Sequence, residues 1–283
     1  MKHKKTFLLF FISLLIILLL SIIVVFQTTN SLNKYSFDTK ASPRISPYRL
    51  RPKAIIGGQD AYAGEFPFMV SIYYKPLFST KKPNLYEQHL CGGVLIDKNW
   101  VLTAAHCFDY YGKSNIGVAF NVLKLTDEVD NDNLRSVSKL IIHKDYKPKF
   151  NEINPNDIAL IKLNKSFTTF LPISINKNDI SLFNKNGTIL GWGYKTSDSK
   201  SKSDILQKAD ITYDYYSDTK NLTSNTPAKP YSYDSGGPLI SRLNGTAYAV
   251  GVINQTFEKS NDSFYANISS YESWIEEKTG LSF

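Results

Sequence analysis

Three short stretches of the chain carry residue types that together can perform acyl transfer. Asp234-Ser235-Gly236-Gly237-Pro238 stands towards the C-terminus, Thr103-Ala104-Ala105-His106-Cys107 well upstream, and Asn156-Asp157-Ile158-Ala159-Leu160 between them. A serine hydroxyl is a weak nucleophile, so a base must take its proton as it attacks a carbonyl carbon. Histidine suits that task because its ordinary pKa, about 6.5, lies close to neutral pH. The imidazole must also present the correct tautomer, which a buried carboxylate bonded to its far nitrogen imposes. Ser235 as nucleophile, His106 as base and Asp157 as orienting acid fill these roles if the fold brings them together. Taken alone, Gly-Gly-Pro marks no more than a tight turn, and an Asn-Asp pair no more than a turn or cap. His3, His89 and His143 lack such a context and read as packed or exposed structural residues.

The elements that would position these residues read as strands. Phe68 to Tyr74 is rich in strand-forming residues. Cys91 to Ile96 and Trp100 to Ala105 form a hairpin across Asp97-Lys98-Asn99, which delivers His106 at its far end. Val137 to Ile142 and Ile158 to Leu163 are apolar strands on either side of a long polar loop, and Asp157 opens the second. A second strand-rich half follows Leu163. The chain then closes on Ser269 to Gly280, where Tyr271, Trp274 and Ile275 are spaced for one helical face and Gly280 marks the stop.

In their order and local context the three stretches resemble the chymotrypsin/trypsin-like serine protease family. The resemblance runs from Ile55 to Phe283 and includes Gly191-Trp192-Gly193 and Leu206-Gln207 as further landmarks. It implies an all-β fold of two packed six-stranded antiparallel β-barrels with a C-terminal helix, the triad lying in the cleft between them. The backbone N–H groups of Tyr233 and Ser235 would form the oxyanion hole. Ile55-Ile56-Gly57-Gly58 resembles the family's mature N-terminus, so a cut before Ile55 would free an ammonium to pair with Asp234. The only two cysteines, Cys91 and Cys107, match a family disulfide that braces the histidine.

Several positions depart from the family pattern. Ala54 precedes Ile55, whereas a trypsin-like activating protease would cut after Lys53 or Arg51. The stretch from Leu206 to Asp234 is shorter than in typical members. Tyr233 replaces a glycine, and two readings of its ring stand open: it crowds the leaving-group side, or it blocks the active backbone conformation. In the primary specificity pocket, Lys229 stands where trypsin-like members carry an acid, Asn254-Gln255-Thr256 replaces Ser-Trp-Gly, and Ser263 replaces a glycine. Two pictures of that pocket stand open. Lys229 lies on its floor and attracts acidic side chains, or Thr256 and Ser263 close it to all but small ones while Lys229 points away.

Composition narrows the remaining choices. At 283 residues the chain can bury a full core. Its net charge of +8 comes from scattered lysines rather than a basic stripe, which argues against nucleic-acid binding. Asp127, Glu128, Asp130 and Asp132 read as a solvated acidic turn, and neither a metal nor a cofactor is expected. Lys2, Lys4 and Lys5 precede an uncharged run from Phe7 to Phe26, which as a helix rises about 30 Å and can cross a bilayer. The expected plan is therefore a cytoplasmic segment 1–6, a signal-anchor helix 7–26, a stalk or pro-segment 27–54 and a protease domain 55–283. A signal peptide removed on secretion is the alternative. The expected function is a serine endopeptidase acting on extracytoplasmic proteins or peptides through an acyl-enzyme; the main alternative is a catalytically weak homologue kept as a binding module, and a third reading is a non-proteolytic esterase using the same chemistry.

Overall fold

The computed structural model describes residues 55–283 apart from 77–80, 149–151, 168–170, 176–184, 195, 197–200, 217–219 and 258–259. The cytoplasmic, anchor and stalk segments expected over residues 1–54 lie outside the described residues. Among the described residues no helix is long and apolar enough to cross a membrane.

β-branched and aromatic residues make strands throughout, as their preference for a pleated, half-buried surface dictates. After the two-residue β1 (Gln59–Asp60), the first half comprises β2 (Met69–Tyr74), the short helix α1 (Leu85–Gln88), β3 (His89–Asp97), β4 (Trp100–Thr103), β5 (Ile116–Phe120), β6 (Leu134–Ile142) and β7 (Ala159–Leu163). Its strands close into a barrel in the order β2-β3-β4-β7-β6-β5. Val70, Ile72, Val94, Val101, Leu102, Val118, Phe120, Leu160 and Ile161 are all fully buried in it. The expected hairpin is β3–β4, with Asp97 paired to Trp100 and the Asp97 carboxylate accepting the Asn99 N–H at 3.2 Å.

The second half contains β8 (Ser174–Ile175), β9 (Asn186–Gly191), β10 (Gln207–Thr212), β11 (Asp214–Tyr215), β12 (Asn221–Asn225), β13 (Pro238–Leu243), β14 (Thr246–Thr256) and β15 (Asp262–Asn267). Here the expectation of a second closed six-stranded barrel needs correction. These strands and β1 form a nine-stranded sheet, ordered β1-β10-β9-β13-β14-β15-β12-β11, with β8 parallel to β14. The reason lies at Tyr213. The chain leaves β10 there, and β11 pairs with β12 through only two residues, Asp214 with Thr223 and Tyr215 with Leu222. β10, next to the β1 edge, and β11, the opposite edge, therefore come from one stretch of chain, but among the described residues no ladder joins β10 to β12.

One apolar cluster runs from the barrel into the second half, taking in Leu190, Trp192, Val252 and Ile268 beside Leu102, Ala104 and Leu160. Helix α2 (Glu272–Thr279) packs Ile275 into the same cluster, and Gly280, at φ 72°, ends it by donating to Glu276 O at 2.8 Å. A left-handed residue at this position suits glycine.

Candidate active site

Strand register brings the first two residues together. In the β4–β7 pair, Thr103 lies opposite Ala159. The chain running on from Thr103 through two buried alanines turns at His106, while Asp157 lies just before Ala159, so the two meet at one end of the ladder. His106 Nδ1 donates to Asp157 Oδ2 at 2.7 Å, and the His106 backbone N–H donates to Oδ1 at 2.9 Å. Both carboxylate oxygens thus hold one residue. Asp157 is 1% exposed and the His106 side chain 27%, so the acid is shielded while the ring reaches solvent. Burial would lower the His106 pKa, but the charge and hydrogen bond of Asp157 outweigh it and the pKa stands above its ordinary value. With its amide oriented to satisfy both ends, Asn254 donates to the Asp157 carbonyl and to Val252 O, each at 3.1 Å.

Ser235 sits in the loop before β13. Its carbonyl accepts the Gly92 N–H of β3 at 2.8 Å, and Gly236 N and Ile253 N complete the tie to β14, the first to Ile253 O and the second to Gly237 O, each at 2.8 Å. The loop lies tight against the strand that leads to His106. A Cβ on Gly236 would fall 2.2 Å from Thr103 Oγ1, and its φ of +77° also demands glycine. Ser235 opens on a cleft of about 200 Å³ that shares Asn254 and Gln255 with a neighbouring cleft lined by His106. The site therefore spans the two halves, with β14 as common wall.

Cys91 and Cys107 are joined in a disulfide across this corner, with Cα atoms 6.3 Å apart. In the chain-entropy view, closing such a loop contributes about 3 kcal/mol. Cys91, His106 and Cys107 are also the one group of potential metal ligands gathered closely among the described residues, and its two sulfurs are consumed in that bond. Asp127, Glu128, Asp130 and Asp132 are exposed.

The backbone before Ser235 is shaped by Tyr233 and Asp234. Tyr233 has φ +76°, a left-handed conformation that is an outlier for a bulky residue. The Asp234 N–H is taken by Tyr231 O at 2.9 Å, whereas the N–H groups of Tyr233 and Ser235 find no acceptor among the described residues. Asp234 is fully buried, and its carboxylate accepts from Gly193 N at 2.7 Å and Tyr231 N at 2.9 Å. Burial pushes its pKa up to about 7 against those two bonds, and no cation lies within ion-pair distance among the described residues. Gly191 and Gly193 are glycines because of this carboxylate: a Cβ would come within 2.0 Å of it at Gly191 and 2.5 Å at Gly193. Ile55 is also fully buried, and Ile56 pairs with Lys229 close by in sequence to Asp234.

Of the remaining candidates, Thr256 lines the cleft at Ser235. Thr256 Oγ1 donates to Pro230 O at 2.8 Å and lies 3.1 Å from the Oγ of the fully buried Ser263. The Lys229 ammonium donates to Asn261 Oδ1, and Lys229 is not among the residues lining the cleft at Ser235. His143 packs against the rings of Tyr271 and Trp274.

His89 is a packed structural residue, and it holds the backbone beside Ser235. Its Nε2 donates to Tyr233 O at 3.1 Å, and its Nδ1 accepts from Ser71 Oγ at 2.7 Å. Burial lowers its pKa to about 3, so the ring is neutral as those two bonds require. The partner lies 144 residues away, so no local pattern could have announced it.

A model of the family described as Trypsin matches residues 55–275. The chain belongs to the trypsin family. Relatives of this family similar to it include the venom peptide isomerase heavy chain of Agelenopsis aperta, 31% identical over 256 residues that cover 79% of this chain and 99% of that one. Coagulation factor XI of Bos taurus is 26% identical over 273 residues, covering 89% of this chain but 42% of its own length. Trypsin-family membership accounts for the closed barrel, the sheet and the terminal helix alike.

Proposed function

We propose that the chain is a serine endopeptidase in which Ser235, His106 and Asp157 form the catalytic triad. The observation that carries this reading is the doubly bonded His106–Asp157 pair, whose free ring nitrogen shares a wall with Ser235. His106 Nε2 takes the Ser235 proton as Oγ bonds to the peptide carbonyl carbon. The carbonyl oxygen becomes an oxyanion that the Tyr233 and Ser235 N–H groups receive. Collapse breaks the C–N bond, and the amine leaves with the proton from His106. Water then attacks the ester by the same steps, restoring Ser235.

Activation follows from Asp234 and Ile55. A buried carboxyl with no cation is a site waiting for one, and a cut before Ile55 supplies an ammonium. Ile55 also has φ +48°, unfavourable for a β-branched residue, and that torsion exists only while Ala54 is attached. Small side chains before the scissile bond fit a rim closed by Thr256 and Ser263, and Ala54 is itself small. On the sequence alone, residues 7–26 tether the domain to a membrane. The disulfide and relatives named for venom and coagulation support an extracytoplasmic domain.

The name of one relative, a peptide isomerase, makes a second reading concrete. In it, His106 takes a proton from a peptide α-carbon and returns one to the other face. Mass spectrometry of peptides incubated with the cut protein and with Ser235→Ala separates the readings. New termini absent with Ser235→Ala support hydrolysis; products of unchanged mass and altered retention support isomerisation.

A further inference from the structure

We propose that Lys202 is a positioning residue that holds Tyr233 in its left-handed conformation and so keeps the oxyanion-binding N–H in place. The inference rests on the hydrolase reading above and adds a residue to it. A glycine would adopt φ +76° without cost; a tyrosine needs outside restraint. Four contacts supply it. Ser232 O accepts the Tyr194 N–H at 3.0 Å, and because a trans peptide points its C=O and N–H in opposite directions, the Tyr233 N–H is directed away from Tyr194. Tyr233 O is held by His89 Nε2 at 3.1 Å. The Tyr233 ring lies 4.5 Å from Lys202 Nζ and 5.1 Å from the Tyr194 ring.

Lys202 belongs to the same frame as the groups it restrains. Its Nζ donates to His89 O at 3.1 Å, its backbone bridges to Tyr194, and the next residue, Ser203, donates to Gly193 O at 2.9 Å. Among the described residues no carboxylate lies within ion-pair distance of Lys202, and its cation faces the His89 carbonyl and the Tyr233 ring, with the Tyr86 ring farther off at 5.9 Å. Without that cation the ring is released, the backbone relaxes towards negative φ, and the Ser232–Tyr233 peptide turns its N–H out of the site. Such a change weakens the transition state and leaves ground-state binding alone.

The test is a double-mutant cycle on the activated protein. Lys202→Met should lower kcat about tenfold, less than the loss of a whole oxyanion donor, with KM little changed. Lys202→Arg should restore most of it, because guanidinium also stacks on an aromatic face. In the Tyr233→Gly background, Lys202→Met should cost nothing further. An unchanged kcat in Lys202→Met, or the same loss with glycine at 233, overturns the proposal. Crystal structures of Ser235→Ala with and without Lys202→Met test it without any activity: a turn of Tyr233 to negative φ supports it, and an unmoved Tyr233 overturns it. If the parent protein cleaves no peptide, the hydrolase reading fails while this comparison still decides the role of Lys202.

Discussion

Cutting before Ile55 should reverse the sign with which Asp234 makes stability depend on pH. In the intact chain Asp234 is fully buried, accepts two backbone N–H bonds and has a pKa near 7. Its unfolded pKa is about 3.9. Between these values the folded protein holds a proton that the unfolded chain has released, so stability falls as pH rises from about 4 to about 7. The full difference is worth about 4 kcal/mol, an upper bound of roughly 10 °C in Tm for a domain of this size. After the cut, pairing with the Ile55 ammonium depresses the Asp234 pKa. Its contribution is then present above about pH 4 and is lost as pH falls through the folded value. The assay is calorimetry of intact and cut protein from pH 2 to 7, in a Ser235→Ala background, with Asp234→Asn subtracted to remove other titrating groups. The difference should slope downwards from pH 4 to 7 in the intact chain, whereas in the cut one it should rise with pH below about pH 4 and stay level above it. A flat difference in the intact chain would mean that Asp234 is already ionised and paired, and would refute the reasoning.

Three other outcomes are expected. Asp157→Asn should reduce kcat about 10⁴-fold by favouring the wrong tautomer, and in the parent the acid limb of kcat/KM should lie above pH 6.5, because Asp157 raises the His106 pKa; initial rates across pH measure both. Lys229→Ala should leave the cleavage profile unchanged, with small residues preferred, since its ammonium is directed to Asn261; loss of cleavage after acidic residues in a peptide library would return Lys229 to the pocket. The intact chain should resist extraction by alkaline carbonate if residues 7–26 anchor it, and release without detergent would remove the anchor.

What the sequence made legible was carried by neighbours in sequence. The proposed triad residues sit in short segments whose wording marks them, the β3–β4 turn is written in Asp97-Lys98-Asn99, and the end of α2 in Gly280. The second half was less readable because its closure depends on where a two-residue strand, β11, stops pairing, and no periodicity survives over so short a length. Side-chain direction was hidden for the same physical reason. Lys229 turns to Asn261, which the turn before β15 brings alongside. His89 and Lys202 meet Tyr233 only through tertiary packing. Gly191 and Gly193 were recognisable as landmarks, but their need for glycine appears only with the Asp234 carboxylate packed against them.

The central claim is that Ser235 is a nucleophile activated by His106. Its most direct test is labelling with a serine-directed fluorophosphonate, before and after cleavage at Ala54–Ile55, followed by mass spectrometry of the modified peptide. The account predicts one adduct, on Ser235, formed rapidly in the cut protein, slowly in the intact chain, and abolished in His106→Ala. No adduct on Ser235 in the cut protein, or equal labelling of His106→Ala, would contradict it.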